Sequence, residues 1–402
     1  MTDTLNLAVA ADLSRASIDI TAVLDHLVCE ADATAATSIG FPGAVDLDHT
    51  EVMTRLGGRL WNNIGDPADE GGIAHTRALE RAVITWTADL LAMPAHDRWG
   101  YVTTGGTEGT LSALHAAHRR KPTARIYYSA AAHYSVAKVV RLLGAHGILV
   151  HARPDGEMDY AHLAEQLHRR RRFPAIVVAT AGTTMTEAVD DTSRIRAVLD
   201  EHHAGGQLHV DAALSGIPLA LDGRLSLDDA SGIGSVAISG HKFFGTPIPC
   251  GIVLIRDHLR PAGPRVAYTA TADTTITGSR CGLSAALLWH AIAVHGREGH
   301  RWRASEARRL AAYIVERLNA VGWPAWRHPH AFTVVLPTPP EHVRRKWLLA
   351  TDGDTSHLIC MPGITPGQVD AFVADIAATR PRIRPIPRPR PATASPASSH
   401  AR

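Results

Sequence analysis

Between residues 98 and 255, short continuous apolar runs alternate with longer amphipathic ones. The runs "RWGYVTT" (98–104), "RIYYS" (125–129), "ILVHA" (148–152), "AIVVAT" (175–180), "QLHVDAA" (207–213), "SVAIS" (235–239) and "GIVLI" (251–255) have strand length and strand composition. Between them, "EGTLSALHAAHRR" (108–120), "YSVAKVVRLLG" (134–144), "YAHLAEQLHRR" (160–170) and "TSRIRAVLDEHH" (192–203) carry their apolar residues at helical spacing. Strands that are apolar throughout are buried on both faces. The pattern therefore predicts an α/β fold with a mainly parallel sheet and helices on both of its faces. Beyond residue 285 the texture changes to one long helical stretch (284–322), strands "AFTVVLP" (331–337) and "HLICMP" (357–362), and a helix (365–380). The expected organisation is an extended, turn-rich N-terminal arm (1–60), a large domain (61–285), a small C-terminal α+β domain (286–380) and a tail (381–402). The tail is basic and Pro-rich with almost no large apolar group, so it cannot bury enough surface to fold.

Composition narrows the class. Hydrophobic residues make up 45% of the 402 and charged residues 20%, with a net charge of +2. Those values describe a well-cored globular protein and call for neither nucleic acid nor an anionic membrane as partner. The 24 histidines are scattered, with no HExxH and no paired CxxC, so no metal site is expected. Four distant cysteines, no secretory leader and no apolar stretch near 18 residues predict a soluble, cytoplasmic enzyme with reduced thiols.

In sheets of this kind, ligands bind beyond the carboxyl ends of the strands, and the unusual residues lie there. "TTGGTEG" (103–109) sets Gly105, Gly106 and Thr107 at a strand-to-helix junction, where free N–H groups favour a phosphate. His133 follows the next strand; alone it would pass for a helix N-terminal residue, and its functional role would be stacking on a flat ligand. Thr184 and Asp190 follow another strand, Asp190 or Asp191 being able to cap the next helix. In "HVDAALSG", Asp211 ends an apolar strand and needs a cation, either a core Arg or a protonated ring nitrogen. In "ISGHKFFG", Lys242 is one of only four lysines among 41 Lys plus Arg. A chain that prefers Arg so strongly would use Arg for a simple ion pair. A buried lysine has its amine pushed towards the neutral form, which is what bonding to an aldehyde requires. Phosphate cradle, stacking ring, carboxylate and amine together match pyridoxal 5′-phosphate (PLP).

At these residues the chain resembles the group II PLP-dependent amino-acid decarboxylases of fold type I. The bacterial histidine decarboxylases are nearest, followed by the plant serine decarboxylases. The resemblance runs from about residue 40 to 378, on "WGYVTTGGTEG", "HYSVAK", "HVDAALSG", "SGHKFFGTPIPCGIV" and "TITGSRCG". It implies a seven-stranded, mainly parallel sheet and a homodimer with active sites at the interface. Carried over residue by residue, it implies that Lys242 bonds the PLP aldehyde and Asp211 keeps the pyridine nitrogen protonated. His133 and Ala213 would flank the ring. Gly105, Gly106, Thr107, Ser239 and His241 would hold the phosphate, and Thr184 and Asp190 would support the ring hydroxyl and its surroundings. Tyr268 would be a proton donor on a mobile loop. The implied activity is α-decarboxylation of an L-amino acid, L-histidine to histamine first. Serine or another aliphatic or aromatic amino acid, or aminotransferase or lyase chemistry, are the alternatives. Thr110 and Cys281 replace the family's Asn at two motif positions, and 65–77 lacks the tyrosine-rich motif of histidine decarboxylases. Substrate choice is therefore expected to lie in 65–77 and 265–282.

Overall fold

A computed structural model describes residues 19–202 and 205–379; the expected tail, 381–402, lies outside them. Helices α1 (Ile20–Ala35), α2 (Thr50–Leu56) and α3 (Arg77–Leu90) precede strand β1 (Trp99–Thr103). The alternating region follows as α4 (Gly106–Arg120), β2 (Arg125–Ser129), α5 (Tyr134–Leu142), β3 (His146–Val150), α6 (Tyr160–Arg169), β4 (Ala175–Thr180), α7 (Thr192–His202), β5 (Gln207–Asp211), α8 (Gly216–Leu221), β6 (Ser235–Ser239) and β7 (Gly251–Ile255). A hairpin, β8 (Arg265–Val266) and β9 (Thr271–Ala272), leads into α9 (Gly282–Ala320). The chain then forms β10 (Thr333–Pro337), α10 (Glu341–Trp347), β11 (Ala350–Asp352), β12 (Thr355–Ile359) and α11 (Pro366–Ala377).

All seven apolar runs join one sheet, in the order β1-β7-β6-β5-β4-β2-β3. Strand β7 runs antiparallel to both of its neighbours and every other pairing is parallel. Six strands therefore end at one edge, on Thr103, Ser129, Val150, Thr180, Asp211 and Ser239. Side chains alternate between two buried faces. Ile176 and Val178 pack with Leu114, Val136 and Val139 of α4 and α5, while Val177 and Ala179 face the main core. The second sheet, β10-β12-β11, is antiparallel. Helix α11 starts on a capping box between Thr365 and Gln368 with Pro366 in its first turn, the arrangement that fixes a helix start.

Two expectations need correction. The stretch 1–60 is not simply extended, because its described part holds α1 and α2. Helix α1 buries no residue against the other described residues, yet Ile20, Leu24, Leu27 and Val28 recur at helical spacing, a signal available in the sequence. The stretch 284–322 is not one smooth helix either. Gly296, at φ 56° and ψ −171°, breaks it within "HGREGH", a backbone region that glycine enters without a Cβ clash.

The core also holds histidines that burial keeps neutral: His209 and His300 pushed down to about 3, and His330 and His357 to about 4. In the unfolded chain they titrate near 6.5. Their folded pKa values are depressed, so their contribution is present above pH ~6.5 and is lost as pH falls towards the folded values. Asp190, raised to about 7 by burial, acts in the opposite direction over the same range. Asp211 and Glu187, also raised by burial, act with Asp190, and each histidine they leave unopposed costs up to about 1.4 kcal/mol per pH unit below ~6.5. That is a measurable part of an ordinary stability margin. Thermal unfolding followed at pH 7 and pH 5 is expected to show a drop in Tm of a few degrees. A Tm that holds steady over that range would refute this account of the core.

Candidate active site

The loop after β1 builds a concave corner. Gly105 caps α4 at φ 156° and ψ 175°, a region essentially confined to glycine. Thr103 Oγ1 donates to Gly105 O at 2.8 Å. The Glu108 carboxylate closes the turn, accepting from Thr104 N at 2.7 Å, Thr104 Oγ1 at 2.8 Å and Tyr101 OH at 3.1 Å. The first-turn N–H groups of α4, among them those of Gly106 and Thr107, have no intrahelical acceptor and stand at the positive end of the helix dipole. A Cβ on Gly106 would lie 2.9 Å from Ser239 Oγ and 3.3 Å from Ala213 Cβ, and one on Gly105 4.0 Å from His241 Cε1. Gly105, Gly106, Ala213, Ser239 and His241 thus surround one small space that side chains on the glycines would fill. His241 Nδ1 lies 3.0 Å from Cys250 O, and its ring also borders a cavity of about 650 Å³ lined by Phe41, His49 and Met53.

Beside that corner stand the charged groups. Asp211 ends β5 almost fully buried, and among the described residues its Oδ1 accepts only from Ala213 N, at 3.2 Å. Burial pushes its carboxyl pKa up, and the nearby Lys242 draws it part of the way back. Lys242 follows β6. Its carbonyl accepts from Ala44 N and Gly245 N at 2.9 and 3.1 Å, which fixes the backbone. No described residue hydrogen-bonds or ion-pairs with its Nζ. Burial lowers the amine pKa and Asp211 opposes this. His133 caps α5, and its Nδ1 lies 2.7 Å from Ser135 Oγ, leaving Nε2 free. Burial keeps His133 below its usual range, helped by Lys242 and Lys138. Lys242 likewise bears on His241, so one amine lies in the field of all three groups. Thr180, paired in register with Asp211 at the end of β4, has a buried hydroxyl without a hydrogen-bond partner. A buried hydroxyl left unpaired costs about 1–3 kcal/mol, so this edge is built for an occupant that supplies polar atoms.

Other expected residues lie further out. Thr184 is exposed and lines a cavity of about 490 Å³ with His133, Tyr134 and Arg153. Both Asp190 oxygens are taken by backbone donors, Thr180 N and Met158 N, each at 2.8 Å. Asp190 therefore braces the end of β4 from behind Asp211. Tyr268 sits on the β8–β9 hairpin, 91% exposed. The stretches 65–77 and 265–282 are fastened together. Asp66 accepts from Thr274 Oγ1 at 2.7 Å and Trp99 Nε1 at 3.1 Å, Asp69 from Ala272 N at 2.6 Å, and the buried Glu80 pairs with Arg280. Sequence reasoning missed Thr180 and Glu80, whose burial only the structure shows.

Residues 74–322 match the pyridoxal-dependent decarboxylase conserved domain. The chain belongs to the pyridoxal-dependent decarboxylase family. This decarboxylase is 41% identical to a histidine decarboxylase of Mesorhizobium japonicum over 359 residues, 88% of this chain and 96% of that one. It is 37% identical to a histidine decarboxylase of Pseudomonas entomophila over 348 residues, 85% of this chain and 86% of that one. Among solved structures, L-methionine decarboxylase from Streptomyces sp. 590, in its internal aldimine form, superposes with a TM-score of 0.81 at 26% identity. That match covers 91% of this chain and 97% of the other. The decarboxylase's cofactor is pyridoxal phosphate, and the residues present fit it: an anion corner at α4, a buried carboxylate, an unpaired amine and an unpaired hydroxyl. The two departures from the family motifs are absorbed locally. Thr110 Oγ1 lies 3.4 Å from His209 Nε2, and Cys281 is an exposed residue at the start of α9.

Proposed function

We propose that this decarboxylase converts L-histidine to histamine and carbon dioxide. The observation that carries the substrate is the 41% identity to a histidine decarboxylase over nearly the whole of both chains. When bound, pyridoxal phosphate supplies an aldehyde that takes up the amine and a protonated ring that accepts the electron pair left by departing carbon dioxide.

In this proposal Lys242 bonds the cofactor in the resting enzyme and yields it to the substrate amine. Its depressed pKa keeps the neutral amine accessible. Asp211 holds a proton on the ring nitrogen. His133, pinned at Nδ1 by Ser135, would contact one face of the ring, with Nε2 left for a substrate oxygen. Ala213 supports the opposite face. Gly105, Gly106, Thr107, Ser239 and His241 hold the phosphate, and Thr184 and Asp190 support the ring-hydroxyl side, Asp190 through the backbone of Thr180. Tyr268 serves as a proton donor in a neighbouring subunit's site, in keeping with its exposure on this chain.

A homodimer completes the proposal. Helix α1 buries none of its apolar stripe on the other described residues, and Leu60, Ile73, Tyr268 and Trp302 are 80%, 89%, 91% and 65% exposed. Apolar surface on this scale fits a second copy; a light-scattering mass of one chain would exclude it. The arm, large domain, small domain and tail, divided at 61, 286 and 381, and a cytoplasmic location, belong to the same proposal. No described helix is long and apolar enough to cross a membrane. A screen of the twenty amino acids for carbon dioxide and amine tests the substrate. Histamine from histidine, with the others at least about tenfold slower, is the expected result. Turnover of serine, methionine or an aromatic amino acid in place of histidine would assign that substrate instead, and a keto-acid product would indicate aminotransferase chemistry.

A further inference from the structure

The turn after β4 contains a residue that neither the cofactor nor the substrate accounts for. Glu187 is wholly buried and stands at φ 56°, a left-handed conformation rare for residues other than glycine and asparagine. Such backbone persists only where its surroundings over-determine it. The surroundings do so here. Glu187 N donates to Thr183 O at 2.8 Å, Ala188 N to Thr183 Oγ1 at 3.0 Å, and Gly182 N to Ala188 O at 3.0 Å, so residues 182–188 close on themselves with Thr184 at the tip.

The Glu187 carboxylate then reaches two further segments. Oε1 accepts from Ser215 Oγ at 2.9 Å, four residues beyond Asp211 and at the start of α8. Oε2 accepts from the backbone N–H groups of Phe332 at 3.1 Å and Thr333 at 2.8 Å, where β10 begins. Its own carbonyl accepts from His330 Nε2 at 2.9 Å. A second bond from the same segment, between His328 Nε2 and Asp155 O at 3.0 Å, lands on the next loop of the site edge. Burial raises the Glu187 carboxyl pKa and these donors pull it back. An apolar residue could fill the space but would leave Ser215, Phe332 and Thr333 without their acceptor.

We propose that Glu187 is a positioning residue: it ties the Thr184 turn and the Asp211–Ser215 turn to the second sheet, and so sets where Thr184 and Asp211 stand relative to cofactor and substrate. The proposal rests on the site assignment made above. It adds that the seating of β10 controls cofactor affinity and turnover through one carboxylate.

Glu187→Gly keeps the backbone conformation accessible and removes the carboxylate. Glu187→Gln keeps an oxygen for the two N–H groups and offers an amide to Ser215. In full-length holoenzyme, Glu187→Gly is expected to raise the dissociation constant for pyridoxal phosphate at least about fivefold and to lower kcat/KM by about tenfold to a hundredfold. Glu187→Gln is expected to restore most of both. A residue that only stabilises the fold would lower Tm in Glu187→Gly and leave both quantities of the folded enzyme within about twofold of wild type. That result, or a Gln variant as impaired as the Gly variant, would overturn the proposal. If Glu187→Gly does not fold, Ser215→Ala cuts the link to the Asp211 turn alone. A raised cofactor dissociation constant in that variant supports the proposal and an unchanged one contradicts it. Wild-type protein that releases no carbon dioxide from any amino acid would be a failure of the site assignment, separable from both.

Discussion

Lys242→Ala is expected to fold normally, to retain some pyridoxal phosphate, and to lose decarboxylation by about a thousandfold or more. The loss of a proton-transferring group alone accounts for ~10² to 10⁴, and Lys242 is also proposed to be the covalent anchor. Stability should move the other way. A half-buried amine with no hydrogen-bond or ion-pair partner among the described residues is a cost to the fold, and burial already presses it towards neutrality. The apo variant is therefore expected to melt at or above the wild-type temperature, checked by calorimetry beside the activity assay. A residue kept for the fold would give the reverse, a lower Tm with activity largely intact. Lys242→Arg is expected to be as inactive as the alanine variant, because a guanidinium does not deprotonate in proteins.

Asp211→Asn is expected to lower kcat/KM by roughly a thousandfold. A carboxylate next to a ring cation, partly screened, is worth about 4 kcal/mol, and the amide cannot hold the proton on the ring nitrogen. Cofactor affinity falls with it. Among the described residues Asp211 has one backbone donor and no cation within ion-pair distance, so the apo enzyme carries a carboxylate that burial disfavours. Removing that charge is expected to stabilise the apo protein and destabilise the holo protein relative to wild type. Opposite shifts in the two melting temperatures separate a cofactor contact from a structural ion pair. Equal shifts in the two forms would assign Asp211 to the fold alone.

The strands were legible because a two-sided buried sheet has to be apolar along its whole length, and all seven runs joined it. The lysine stood out through its rarity, and the glycine pair through its position at a strand end. Helix α1 was missed although Ile20, Leu24, Leu27 and Val28 recur at helical spacing, because that stripe stands outside the alternating region on which the fold was read. Thr180 and Glu187 gave no signal for a different reason. Each is an ordinary residue in its segment, and its meaning comes from what lies across from it: Asp211 in the parallel register, and Phe332 and Thr333 some 145 residues away. Asp190 was expected in the neighbourhood of the cofactor ring, and its carboxylate is engaged one layer back, on the Thr180 backbone. Strand-end position identifies the edge of the sheet, and only side-chain direction tells which residues face the ligand.

Borohydride treatment of the pyridoxal-phosphate-loaded enzyme, followed by peptide mapping, tests the central claim most directly. The account predicts one pyridoxyl-modified peptide containing "SGHKFFG", with the cofactor fixed on Lys242 and no label in Lys242→Ala. Label on Lys121, Lys138 or Lys346 instead, or none on the loaded wild-type protein, would contradict it.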